Sequence, residues 1–205
     1  MAPRRAAGRR GGRYDPLMVH DSGGRRTLIA DTVITVLATS GARGLTHRAI
    51  DAAAGLPAGS TSYYFRTREA LLRAAAVRLA DLDLAAAARL PPPRTRDALL
   101  HALAGMVRAQ SGEFRDRTVA RYQLTLEAGR YPEVQAALAA MAERFTAAAA
   151  ELLGQLGARD PRRDARAVIA ACAGLVFESA VGGQPPYEAD EVTELLGDVL
   201  AARLG

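Results

Sequence analysis

Among the side chains in this 205-residue sequence whose types could do chemistry are three histidines, one cysteine and a short run of hydroxyl, phenol and guanidinium groups. Bond-making chemistry needs partners at set spacings, and these are missing. His20, His47 and His101 have no second His, Cys or carboxylate at metal-ligand spacing. Cys172 falls in an apolar helical stretch, where a thiol is ordinarily inert packing. No Gly-rich phosphate loop follows a strand pattern, and there is no nucleophile elbow. The chain is therefore read as a non-enzyme with no metal and no cofactor. What remains is recognition chemistry. Thr46, Arg48, Ser60, Ser62, Tyr63, Tyr64 and Arg68 lie close together in sequence; guanidinium suits guanine edges and phosphate, and hydroxyls suit phosphate oxygens.

Short helices must position that run. Thr46 is placed to cap a first helix, with Leu45 and Ile50 at the flanking staple positions, and this helix ends at Ala54. Gly55 supplies the left-handed residue a helix end favours, and Pro57 suits the first turn of a new helix. A second helix is expected over Ala58–Tyr64, with Ala58, Gly59 and Ser60 opening it so that backbone amides approach phosphates or bases. Thr67 then caps a third. Upstream, Ile29, Val33 and Leu37 predict a helix from Arg25 or Arg26 to about Ser40, ended by Gly41 and Gly44. Leu56, Phe65 and the small Ala53 are expected in the core. Stop, turn and restart within a few residues is the spacing of a helix-turn-helix, whose second helix enters the DNA major groove.

The same residues carry a family resemblance. Thr46, Ala54-Gly55-Leu56, Tyr63-Tyr64-Phe65 and Arg68-Glu69-x-Leu71 match in order and spacing the DNA-binding domain of TetR-type transcriptional regulators, which the segment from about Arg25 to Arg78 resembles. Pro57 stands where that family usually has Ser, and Ser62 where it usually has Tyr. DNA contact is expected from Thr46, Arg48, which can reach a phosphate or a base edge, Pro57, Ala58, Gly59, Ser60, Ser62, Tyr63, Tyr64 and Arg68; for Tyr64 and Arg68 the resemblance implies a role as backbone clamps. For Tyr63 and Tyr64 the plainer alternative is that one of them packs inward beside Phe65.

Charge supports a polyanionic partner for the first half. Residues 1–90 hold 14 Arg against 7 acids, a net of +7, whereas residues 91–205 hold 13 Arg against 15 acids, a net of −2. Such a surplus is the sequence-independent part of DNA affinity. The opening residues 1–24, with Arg4, Arg5, Arg9, Arg10 and Arg13, read as a disordered arm that follows DNA or is merely solvated. All basic residues are Arg and none is Lys, which fits biased composition more than chemistry. With 49% hydrophobic content, a single Cys, no apolar leader and no apolar run beyond Ala167–Phe177, a cytoplasmic protein without a membrane helix is expected.

The remainder, 71–205, reads as an all-α regulatory and dimerisation body behind the head at 25–70. Helices are predicted over Leu71 to about Arg89, Arg96–Gln110, Glu113–Ala128, Pro132–Leu156, Pro161–Val181 and Glu188–Leu204, with Pro91-Pro92-Pro93 a stiff break. Val192, Leu195, Leu196, Val199 and Leu200 form one stripe, and Ala167, Ala170, Ala171 and Gly174 a small-residue surface. These are read as a homodimer interface, the alternative being closure of the monomer's own core. Met106, Phe114, Tyr122, Met141, Phe145 and Phe177 are candidates for lining an effector pocket, with Gln123, Arg121 or Glu127 supplying polarity. The function expected is a homodimeric regulator, a repressor released from a palindromic double-stranded DNA operator by a small, apolar or aromatic effector. The alternatives are an activator of the same fold and a helical adaptor without specific DNA binding, the latter motivated by Pro57 and Ser62.

Overall fold

A computed structural model describes residues 22–204. Among the described residues it has no strand and nine helices: α1 (Ser22–Gly44), α2 (His47–Ala53), α3 (Ser60–Tyr64), α4 (Arg68–Ala87), α5 (Arg96–Ser111), α6 (Arg115–Ala128), α7 (Pro132–Gln155), α8 (Pro161–Ala180) and α9 (Ala189–Leu204). The arm arginines, Arg4 to Arg13, lie outside the described residues, while residues 22–24, expected to end the arm, already belong to α1.

Local capping chemistry sets most helix starts. Thr46, Thr67 and Thr95 accept hydrogen bonds from the amides of Ala49, Ala70 and Ala98, and Asp160 does the same for Arg163. Pro132 and Pro161 sit in first turns, where a missing N–H costs nothing. At the end of α2, Gly55 has φ 63°, its amide donates to the Ala52 carbonyl, and the Leu56 amide reaches back to Asp51 O at 2.8 Å. That is a Schellman turn, and it sends the chain sharply away from α2. Gly41, also at φ 63°, breaks the regular path of α1 where the Gln123 side chain of α6 comes close.

Packing does not divide at residue 70. Ile29, Val33 and Leu37 of α1, Ile50 of α2 and Phe65 share one core with Leu71, Leu72, Ala75, Ala76 and Leu79 of α4. Ala120, Leu124 and Ala128 of α6 and Val134 of α7 complete it. A second core joins α5, α8, α9 and the end of α7, around Leu99, Val107, Leu153, Val168, Val176 and Leu196. The first four helices are thus seated directly on α6. Ala53, expected in the core, is exposed: the turn after α2 brings in Leu56, which packs against that core instead.

Ion pairs tie the same helices together. Arg78 of α4 makes a two-pronged contact with Asp31 of α1 (2.7 and 3.1 Å), Arg73 reaches Glu133, and Arg121 of α6 holds Asp83 of α4 at 2.6 Å.

Leu124→Ala opens a cavity in the fully buried centre of the shared core. It should cost about 2–5 kcal/mol of stability. In urea unfolding followed by circular dichroism, the variant should keep one transition; an early, separate loss of part of the helix signal would show that the head does not share its core with α6.

Candidate nucleic-acid interface

The helix-turn-helix is held together by one carboxylate. Asp51, buried in α2, accepts from the Gly59 amide (2.8 Å), the Thr61 amide (2.8 Å) and the Thr61 hydroxyl (2.6 Å). Burial alone would push this carboxyl up. The Thr61 hydroxyl, the Thr61 and Gly59 amides and nearby His47 outweigh it and hold it below the ordinary carboxylate value. At the far end of α3, His47 Nε2 donates to the Phe65 carbonyl at 2.7 Å, which fixes its tautomer. Asp51 and Thr61 were not among the residues singled out from sequence, and His47 was weighed there only as a metal ligand. The available signal was Asp51 itself, since an Asp inside a short helix competes for backbone donors and favours caps and turns.

This wiring corrects several expectations. The second helix starts at Ser60 rather than Ala58, because Gly59 is left-handed at φ 89°. The amides of Gly59, Ser60 and Thr61 are committed to Asp51 or to the Pro57 carbonyl, so they are not free to meet phosphates. The Ser60 hydroxyl donates to Pro57 O as well. Arg68 is not a clamp on the outside. Its guanidinium donates to Leu45 O (2.7 Å) and Ala42 O (2.6 Å) and pairs with Glu127 of α6 at 3.4 Å, tying the link between α1 and α2 to α6. Tyr64 is half-buried against the core, with Arg26 over its ring, whereas Tyr63 is 79% exposed.

Facing out are Thr46, Arg48, Pro57, Ala58, Gly59, Ser62 and Tyr63. Arg48 has no hydrogen-bond or ion-pair partner among the described residues, and neither have the exposed Arg43 and Arg66, which sequence reasoning passed over.

The predicted pocket residues divide. Met106, Phe114 and Phe145 line one apolar cavity of about 800 Å³ between the end of α4, the Pro91–Pro93 loop, α5 and α7. Tyr122, Gln123, Met141 and Phe177 are elsewhere. The Tyr122 hydroxyl donates to Ala173 O and its ring meets Phe177 edge to face at 5.2 Å. Gln123 lies beside Gly41, and Met141 Sδ accepts from Arg121. Neither polar alternative lines the cavity directly, since Arg121 is bound to Asp83 and Glu127 to Arg68.

A family model described as "Tetracyclin repressor-like, C-terminal domain" matches residues 94–202. The chain is 31% identical to the multidrug binding protein EbrR, crystallised with ethidium, covering 85% of this chain and 98% of that one with a TM-score of 0.67. The chain belongs to the TetR family. A TetR-family member from Streptomyces coelicolor A3 is 28% identical, with 85% and 97% of the two chains covered and a TM-score of 0.68. A Rhodococcus sp. Rha1 regulator, at 18% identity with 88% and 98% covered and a TM-score of 0.77, shares the fold. No curated protein matches. TetR-family proteins are transcriptional regulators and not enzymes. Cys172 accords with this, since burial pushes its thiol up to about 11 and keeps it protonated at neutral pH. Among the described residues no helix is long and apolar enough to cross a membrane.

The stripe assigned to the TetR-family dimer is mostly interior. Val192, Leu196 and Leu200 are buried in the chain's own second core, and Val199 and Ala171 pack against it; Ala167 is half-buried. Ala170 and Gly174 of α8 and Leu195 of α9 remain exposed. With Phe177 and Val181, Ala170 and Gly174 make an outward stripe at helical spacing.

Asp51→Ala should cost about 1–3 kcal/mol at neutral pH, because the two buried Thr61 donors and the Gly59 amide lose their acceptor. A carboxyl held low in the fold stabilises above its unfolded value, near 3.9, and that stability is lost as pH falls through the folded value. Urea titrations across pH should therefore show the Ala penalty shrinking below about pH 3.9; a penalty that stays constant there contradicts an ionised Asp51.

Proposed function

We propose that this TetR-family regulator is a homodimeric repressor that reads a palindromic operator with Thr46, Arg48, Ser62 and Tyr63 and leaves it when a small molecule fills the α4–α5–α7 cavity. The observation that carries this reading is the outward set on α2 and α3: an Arg48 side chain without a partner among the described residues and an exposed Tyr63, on a frame that Asp51 fixes. Arg43 and Arg66 take over the phosphate role that Arg68 cannot fill. Two such heads engage half-sites roughly 34–36 Å apart.

Dimerisation uses the outward stripe of α8, Ala170, Gly174, Phe177 and Val181, with Leu195 of α9. The small residues allow close helix approach, and Phe177, 46% exposed, and Leu195, 45% exposed, supply apolar area. The complexes of EbrR with ethidium and with proflavin support a flat, aromatic-sized effector. Release follows from α4. Its first half is buried in the head's core, and Ala86 and Ala87 near its end line the cavity. A filled cavity shifts that end, and the helix carries the shift to the head.

Fluorescence anisotropy against DNA flanking the protein's own gene, beside a shuffled control, should show a preference of about a thousandfold at physiological salt. Arg48→Ala and Tyr63→Ala should each lose about tenfold or more in operator affinity with an unchanged melting temperature. Normal binding by both variants places the reading face elsewhere. Phe177→Asp should convert the dimer to a folded monomer in light scattering; a persistent dimer puts the interface on another face.

A further inference from the structure

The apolar cavity has a cationic mouth that nothing in the described structure neutralises. Arg89 follows α4 and Arg94 follows the stiff Pro91–Pro93 run, and that run lines the cavity between them. Both line the cavity and both are exposed. Neither guanidinium has an ion pair or hydrogen bond among the described residues. The cavity's one lining carboxylate, Asp83, is already taken by Arg121 at 2.6 Å. Formal charge around the cavity is therefore two free guanidinium groups and one neutralised pair.

Three kinds of molecule can be weighed against this. A cation would meet Arg89 and Arg94 uncompensated. To find a counter-charge it would have to take Asp83 from Arg121, whose Nε is already buried without a partner, and so strand a second donor group. A neutral apolar molecule fills the space between Met106, Phe114 and Phe145 but leaves the rim unused. An amphipathic anion does both, with its apolar body inside and its carboxylate accepting the forked donors of Arg89 or Arg94.

We propose that the effector of this chain is an amphipathic carboxylate, a hydrocarbon or aromatic body bearing a single negative head that Arg89 and Arg94 receive. This rests on the reading of the α4–α5–α7 cavity as the effector site, and it adds the ligand's charge. Arg89 and Arg94 are then the residues that set specificity, and the apolar lining sets size.

Isothermal titration calorimetry of the full chain with naphthoate, naphthylmethanol and naphthylmethylammonium separates charge from shape, because the three share one ring system. Naphthoate should bind at least about tenfold tighter than the alcohol, and the ammonium more weakly than either. The double variant Arg89→Ala/Arg94→Ala should bring naphthoate to the alcohol's affinity while leaving the alcohol's affinity and the melting temperature unchanged. Gly105→Trp, which fills the cavity from the exposed face of α5, should abolish binding of all three. Equal affinities, or tightest binding of the ammonium, overturn the anion preference and leave the cavity reading standing. No binding of any of the three to the unaltered chain overturns the cavity reading with it.

Discussion

The contact of Asp51 with Gly59 and Thr61 is the constraint on which the reading head depends. A helix of five residues, such as α3, cannot hold itself in water, where nucleation costs more than so few hydrogen bonds return. Its geometry has to come from outside. The Asp51 carboxylate supplies it at the N-terminal end, where it also meets the positive end of the helix dipole, and His47 supplies it at the C-terminal end through Phe65 O. With both ends tied to α2, the two helices behave as one unit. Ser62 and Tyr63 are then presented at a fixed angle to Arg48, and DNA binding need not bear the cost of ordering them.

That unit is in turn fixed to the body. The Arg68 guanidinium gathers Ala42 O, Leu45 O and Glu127, which joins the end of α1, the start of α2 and α6 at one point. Beneath it, Leu124 and Ala120 lie in the same core as Ile50 and Leu37. A head mounted this way cannot swing freely on α4. It must move with α6 or strain the core between them, which couples the outward side chains of α2 and α3 to the body.

How much of this was legible in sequence follows from how local each signal is. The Thr46 and Thr67 caps and the Gly55 turn act within four residues, and they were readable. So were the helix order and the helix-turn-helix resemblance, later matched by the TetR family. Asp51 and Thr61 are ten residues apart, and their meeting depends on the angle of the turn between them. Arg68 looked like a surface cation because nothing in its neighbourhood of sequence names Ala42 or Glu127 as partners. The α9 stripe was read correctly as amphipathic. Periodicity cannot say whether such a face meets its own chain or a second copy, and here Val192, Leu196 and Leu200 meet their own. The same holds for the pocket, where aromatic residues on several helices could be assigned to a cavity only once the helices were placed.

Hydrogen exchange at the Thr61 amide in the DNA-free protein tests the pre-formed head most directly. An amide bonded to the buried Asp51 carboxylate should exchange only in openings as rare as those of the Leu72 amide in the head's core. Exchange of Thr61 at the rate of an unstructured loop, with Leu72 still protected, would contradict the account: α3 would then be ordered by DNA and not by Asp51.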